Sequence, residues 1–218
     1  MTKSVAVVSP HPDDETLGCG GTLFRHRDEG DSIHWIIVTT GLTPAQRERR
    51  KATLKEVERL YEFASVAELG FATTRLDMIP LSDLVASLHD AFAKVAAEII
   101  YLPFRGDVHT DHCVVFDASV SALKWFRHTA IRRILAYETL SETEQAIDPD
   151  GAGFRPNVFV DIKKSLPQNL KALDCYSDET GPFPFPRSGQ AVRALAQFRG
   201  ATAGFEAAEA FVLLRERT

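Results

Sequence analysis

The chain has 218 residues, 44% hydrophobic and 25% charged, which excludes a disordered chain and allows a full hydrophobic core. The formal net charge of −5 argues against a nucleic-acid scaffold or a protein that binds anionic membranes, because both need basic surfaces. The three cysteines at long spacings, with no run of about 18 apolar residues and no signal peptide, favour a reducing, cytoplasmic location.

Short apolar runs alternate with amphipathic segments along the chain. Strands are predicted over 5–8, 34–39, 65–69, 98–102, 131–137 and 157–162, and a last apolar run covers 210–214. Helices are predicted over 16–29, 112–126, 165–176 and 190–199, with two more beginning near residues 43 and 82. This alternation predicts an α/β fold in which helices cover both faces of a mostly parallel sheet. We expect a single domain that spans residues 1–218.

Helix starts carry recognisable capping residues. Thr43 and Gln46 form one capping box, and Ser165 and Gln168 form a second. Asp111 is the expected cap of the helix that follows it.

The first predicted helix contains Gly18, Gly20 and Gly21. Glycine lowers helix propensity, so we expect another element to pack closely against this helix. The spacing does not match a dinucleotide-binding fingerprint.

The sequence His11-Pro12-Asp13-Asp14 follows the first predicted strand. Ligands bind at the carboxyl ends of strands in such sheets, and an imidazole with a carboxylate suits Zn²⁺. Asp13 need not bind the metal, and a free carboxylate beside an activated water is a general-base candidate. The alternative is a polar loop in which Asp14 or Thr16 caps the helix.

A second polar segment, residues 107–112, follows the predicted strand 98–102. His112 would complete a His/Asp/His ligand set with one position open for water. His109 would face the substrate and stabilise an oxyanion. Asp111 or Asp107 could bond its other ring nitrogen and favour the imidazolium. The alternative is that each histidine is a solvated loop residue.

Together these motifs resemble the PIG-L/LmbE-like deacetylase family. The resemblance rests on residues 11–15, Gly18, Gly20-Gly21, 109–112, Tyr137-Glu138-Thr139, 157–162, Lys171, Tyr176, Arg199-Gly200 and 208–211. It implies a three-layer α/β/α Rossmann-like fold and a Zn²⁺-dependent hydrolase that removes acetyl groups from N-acetylated amino sugars. Thr110 departs from the family pattern, since many members have proline there.

The resemblance also implies a role for each motif residue. The metal ligands would be His11, Asp14 and His112, the general base Asp13, the oxyanion-stabilising histidine His109, and its orienting partner Asp111. Fe²⁺ or Co²⁺ would suit the same ligands as Zn²⁺. The overall pattern looks most like relatives from bacterial polysaccharide or lipopolysaccharide gene clusters.

The expected partner is a small N-acetylated sugar, with a nucleotide-linked form left open, and no nucleic acid. Candidate substrate contacts are Arg105, Asp107 and Arg187, and Arg75 also lies in a predicted loop; such arginines could meet a phosphate. Two alternatives remain open: an amidase or deacetylase of a thiol conjugate or antibiotic glycoside, and a non-enzymatic zinc- or sugar-binding module. The presence of Asp13 argues against the binding module, which needs no such carboxylate.

Overall fold

A seven-stranded sheet forms the centre of the molecule in the computed structural model, which describes residues 2–41, 43–147 and 153–218. The strands are β1 (Ser4–Ser9), β2 (Ser32–Thr40), β3 (Ser65–Ala72), β4 (Ile99–Pro103), β5 (Arg133–Tyr137), β6 (Val158–Asp161) and β7 (Ala208–Glu216). The helices are α1 (Asp14–Asp28), α2 (Pro44–Tyr61), α3 (Leu81–Val95), α4 (Thr110–Ala122), α5 (Leu166–Leu173) and α6 (Gly189–Ala203). Single 3₁₀ turns span Leu76–Met78 and Asp174–Tyr176.

The strand order across the sheet is β3-β2-β1-β4-β5-β7-β6. The first five strands in this order are parallel, while β7 runs antiparallel to both of its neighbours. The predicted mostly parallel α/β fold is therefore confirmed. The chain leaves β1 toward β2 on one side, and β4 lies on the other side. Ligands bind in parallel sheets at such a switch point, beyond the carboxyl ends of the strands.

Helices cover both faces of the sheet, and the central strands are therefore buried on both sides. In β1, Val5 and Val7 join a core that contains residues of α1, α2 and α5. The alternate residues Ala6 and Val8 face the opposite core, built from residues of α3 and α4. This is the pattern that the continuous apolar run predicted. No helix within the described residues is both long enough and apolar enough to cross a bilayer.

The glycines of α1 lie where neighbouring elements approach closely, as expected. A β-carbon on Gly18 would lie 2.1 Å from the ring of Tyr137 in β5. The helix is kinked at Cys19, whose φ of −149° is not helical. Just beyond the kink, the backbone N–H groups of Gly21 and Thr22 both donate to the Glu209 carboxylate of β7 at 2.7 Å. Glu209 thus satisfies amides that the kink removes from the helical hydrogen-bond pattern.

Three of the predicted helix ends can be compared with the structure, and two of them differ. The capping box at Thr43 is confirmed, with Gln46 N–H donating to Thr43 Oγ1 and Thr43 N–H donating to Gln46 Oε1. The second capping box is wrong, because the Ser165 side chain makes no capping bond to α5 and its hydroxyl instead donates to the carbonyl of Ile162. Helix α4 ends at Ala122, four residues before the predicted end, and turns follow it.

Candidate metal and catalytic site

The turn after β1 brings the first motif to the carboxyl edge of the sheet. Asp13 has φ 122° and ψ −25°, a conformation that is strained for a residue with a side chain. Its N–H donates to Glu15 Oε2 at 3.1 Å. The carbonyl of Pro10 accepts from the backbone N–H and the hydroxyl of Thr39. Such over-determined strain is typical of functional sites, where it fixes a side chain in one direction.

Three donor atoms from the two predicted motifs converge beside this turn. Asp14 Oδ2 lies 3.5 Å from His11 Nδ1 and 3.4 Å from His112 Nε2. The ligand atoms of the three residues all lie within 4.8 Å of one another. A tetrahedral ion with bond lengths of about 2.1 Å separates its ligands by about 3.4 Å, so the donor set fits a metal such as Zn²⁺.

His112 is oriented by a hydrogen bond to Asp107. The Nδ1 of His112 bonds Asp107 Oδ2 at 2.8 Å, and Asp107 Oδ1 in turn accepts from the Thr143 hydroxyl at 2.6 Å. The opposite nitrogen, Nε2, is buried and has no hydrogen-bond partner among the described residues. A buried ring nitrogen without a partner is costly unless a ligand fills its lone pair. Asp107 is therefore buried and bonded to a metal-ligand candidate. Its carboxylate bonds His112 and Thr143, and not His109.

His11 is oriented by Asp111 in the same way. Asp111 Oδ2 accepts from His11 Nε2 at 3.0 Å and from the backbone N–H of Thr74 at 2.7 Å. These bonds leave His11 Nδ1 as the nitrogen that faces Asp14. A second set of possible ligands, His11, His109 and Asp111, also lies close together. In that set His11 Nε2 and Asp111 Oδ2 are bonded to each other, and His109 Nδ1 accepts from a backbone N–H, so the set with His112 fits a metal better.

His109 begins α4 and is positioned by the backbone. Its Nδ1 accepts from the N–H of Asp111 at 3.1 Å, so the predicted cap, Asp111, is wrong and the histidine performs that role. The Asp111 carboxylate is bonded to His11 and not to His109. Burial and the neighbouring His11 and His112 lower the pKa of His109, which favours the neutral ring over the expected imidazolium. Its Nε2 is then the N–H that can donate to a ligand.

Burial and neighbouring charges shift the pKa values of the side chains at this site. Burial alone would lower the pKa of His11, but hydrogen bonds to Asp111 and Asp14 outweigh it and raise that pKa to about 9. Burial and then the Asp14 carboxylate raise the pKa of Asp13 well above its usual range, against the opposing effect of Arg187. The Asp14 pKa is held low despite burial, because His112 and His11 stabilise its charge.

The predicted substrate arginines lie in different places. Arg187 Nη1 donates to Asp13 Oδ2 at 2.8 Å, which places this guanidinium at the site. Arg105 is exposed and forms a bidentate pair with Asp117 at 2.7 and 3.2 Å. The geometry offers Arg105 no contact with the motif residues.

Several residues that support the site were not predicted. Glu15 is buried beneath Asp13, and its Oε1 accepts from the hydroxyls of Tyr176 and Thr16 at 2.6 Å. Burial raises the pKa of Glu15 to about 7. Ser141 and Glu142 hold Arg187 from the loop after β5. Only the resemblance at Tyr137-Glu138-Thr139 and Tyr176 pointed to these segments, because isolated polar loop residues carry no periodic signal.

Comparison with known proteins agrees with the two motifs. The sequence profile of the PIG-L family, described as GlcNAc-PI de-N-acetylase, matches residues 6–123. The match covers more than half of the chain and includes all three metal-ligand candidates. The chain belongs to the PIG-L family of LmbE-like deacetylases.

Individual relatives align with most of this chain. The uncharacterized deacetylase YaiS of Escherichia coli K12 is 28% identical over 74% of this chain and 83% of its own length. The diacetylchitobiose deacetylase of Thermococcus kodakarensis is 23% identical over 95% of this chain and 81% of its own length. Among solved structures, GalB, the 4-carboxy-2-hydroxymuconate hydratase of Pseudomonas putida KT2440, superposes with a TM-score of 0.80. It is 18% identical, and the match covers 100% of this chain and 98% of that chain, which shows the shared fold alone.

Proposed function

We propose that this chain is a metal-dependent N-deacetylase that hydrolyses the acetamide of an N-acetylated amino sugar or sugar conjugate. The observation that carries the proposal is the buried His112 Nε2, which has no hydrogen-bond partner in the part of the chain that the structure describes and which faces Asp14 and His11. The strained Asp13 lies beside this donor set. Membership in the PIG-L family and the deacetylase relatives support the same reaction.

Zn²⁺ is the metal that we propose for His11, Asp14 and His112, although Fe²⁺ or Co²⁺ suits the same ligands. When bound, such an ion would act as a Lewis acid and would lower the pKa of a coordinated water to about 7. Asp14 supplies the anionic ligand. Asp107 and Asp111 hold the two imidazoles in the required orientation.

The chain's own residues would move the protons of the reaction. Asp13 accepts a proton from the attacking water as the water oxygen bonds to the acetyl carbon. His109 donates its Nε2–H to the oxygen on which negative charge develops. When the C–N bond breaks, Asp13 returns the proton to the leaving nitrogen. The products are acetate and the free amine.

We propose an N-acetylated amino sugar as the substrate, in the biosynthesis of a bacterial surface polysaccharide in the cytoplasm. The support is the overall sequence pattern and the Thermococcus relative, whose name gives an N-acetylated disaccharide as its substrate. A hydratase has the same fold, so the proposed reaction rests on the residues of the site and is tested by a direct assay.

The test uses Asp13→Asn, which removes the base but keeps the shape of the side chain. Acetate release is measured from N-acetylglucosamine, diacetylchitobiose and UDP-N-acetylglucosamine, and metal content is measured by elemental analysis. We expect Asp13→Asn to keep its metal and to lose about 100- to 10,000-fold in turnover. The exposed Asp28→Asn variant is the control and should match wild type.

Two results would contradict the proposal. Full turnover in Asp13→Asn would exclude Asp13 as the base. Wild-type protein that binds one metal per chain but releases no acetate from any of these sugars would remove N-acetyl-sugar hydrolysis as the function.

A further inference from the structure

Arg187 joins three segments that are distant in the sequence. Its Nη1 donates to Asp13 Oδ2 at 2.8 Å, its Nη2 to Glu142 Oε1 at 3.0 Å, and its Nε to Ser141 Oγ at 2.7 Å. The side chain is 20% exposed. All three guanidinium nitrogens therefore donate to acceptors within the protein. An arginine that binds a substrate phosphate would instead direct its N–H groups toward that phosphate.

Two of the acceptors of Arg187, Ser141 and Glu142, lie on a hydrogen-bonded turn after β5. The carbonyl of Thr139 accepts from the N–H groups of Glu142 and Thr143 at 3.1 and 2.9 Å. The Thr143 hydroxyl accepts from the N–H of Thr139 at 2.8 Å. These bonds hold the backbone of the turn, and the Ser141 hydroxyl donates to Glu142 Oε1 at 3.2 Å, the same oxygen that accepts from Arg187.

The same turn also holds the second motif. Thr143 donates its hydroxyl proton to Asp107 Oδ1 at 2.6 Å, and Asp107 Oδ2 bonds His112. The N–H of Val108 donates to the carbonyl of Glu142 at 3.1 Å. One turn thus positions two side chains of the site. It contacts His112 through Asp107, and it contacts Asp13 through Arg187.

We infer that Arg187 is a positioning residue for Asp13. The bond from Nη1 fixes Asp13 Oδ2, which leaves Oδ1 as the oxygen that takes a proton from water. This inference rests on the proposed function and assigns Arg187 a role other than the predicted substrate contact. A misplacement of about 1 Å at a reacting group is enough to cost about 100-fold in rate.

The test compares Arg187→Ala with wild type and with Arg193→Ala, a control at an exposed arginine of α6. Diacetylchitobiose is the assay substrate, or whichever sugar of the panel wild type hydrolyses. We expect kcat to fall about 10- to 100-fold in Arg187→Ala, with KM changed less than about threefold and metal content unchanged. Added methylguanidinium should restore part of the kcat of Arg187→Ala and none of that of Asp13→Asn.

A second measurement tests the contact between Arg187 and Asp13 without an activity assay. We expect amide hydrogen exchange in the zinc-loaded protein to rise over residues 10–17 in Arg187→Ala and to stay unchanged in Arg193→Ala. A raised KM with unchanged kcat would make Arg187 a substrate contact and overturn the inference. An unchanged kcat would overturn it too. If wild type releases no acetate, the proposed function is wrong, but the inference about Arg187 can still be tested. In that case, unchanged amide hydrogen exchange over residues 10–17 in Arg187→Ala would overturn the inference.

Discussion

The two ring nitrogens of His112 show why it is the stronger metal-ligand candidate of the two histidines in its motif. Its Nδ1 is bonded to Asp107, while its Nε2 is buried without a partner among the described residues. His109, only three residues earlier, has its Nδ1 occupied by a backbone N–H. The two side chains therefore have different tasks although both belong to one motif.

This difference predicts opposite effects of two substitutions on metal binding. His112→Ala should lower metal affinity at least about tenfold, because it removes a ligand from the set of three. His109→Ala should keep one metal per chain, since its ring is not part of that set. Elemental analysis of both variants after dialysis against zinc checks this. Loss of metal in His109→Ala with retention in His112→Ala would instead identify His11, His109 and Asp111 as the ligands.

At this scale the sequence predicted which residues gather but not how they bond. Residue type and position after a strand were enough to bring the two motifs together. The partner of each carboxylate depends on side-chain directions set by loops from elsewhere, such as Thr74 for Asp111 and Thr143 for Asp107. Those loops have no local sequence pattern that shows where they will lie.

Some features of the strands and helices follow from the local sequence, and others depend on distant parts of the chain. Strands β1 and β4 are the clearest predictions, because their continuous apolar runs are buried on both faces of the parallel sheet. The antiparallel direction of β7 was not predicted, since an apolar run does not encode its neighbour. The glycines of α1 did signal close packing, because glycine has a cost in a helix unless space requires it.

A substitution in α1 tests this close packing. Gly18→Ala should destabilise the protein by about 1–3 kcal/mol, because its methyl group would overlap the buried ring of Tyr137. Gly189→Ala is the matched control in α6, where the nearest atom would lie 3.7 Å from the new carbon. The control should be neutral or slightly stabilising. Urea denaturation midpoints measure both, and equal midpoints for the two variants would contradict close packing at Gly18.

At the scale of the whole molecule, Glu209 connects the beginning and the end of the described fold. Its carboxylate on β7 accepts two backbone N–H groups of α1. Burial raises the pKa of Glu209 to about 7, although these hydrogen bonds act in the opposite direction. The folded protein thus binds a proton here more tightly than the unfolded chain, in which a glutamate has a pKa of about 4.3.

The sign of the pH effect follows from this difference. A raised carboxyl pKa means that stability falls as pH rises from about 4.5 to about 7, because the folded state must give up its proton. Glu209→Gln removes this titration, so wild type should lose on the order of 2 kcal/mol relative to the variant across that range. The exposed Glu206→Gln is the control. Unfolding free energies at pH 5, 6 and 7 test it, and a constant difference between Glu209→Gln and wild type would contradict it.

The position of β7 between β5 and β6 also has a consequence for synthesis on the ribosome. Strands β1 to β5 can pair with one another as they emerge, since each neighbour has already been made or follows soon. Strand β6 pairs with β7 alone, so it has no place in the sheet until residues 208–216 have left the exit tunnel. Until then the edge of β5 is open to pairing with other chains. The sheet is therefore completed only after residues 208–216 have been translated and have left the tunnel.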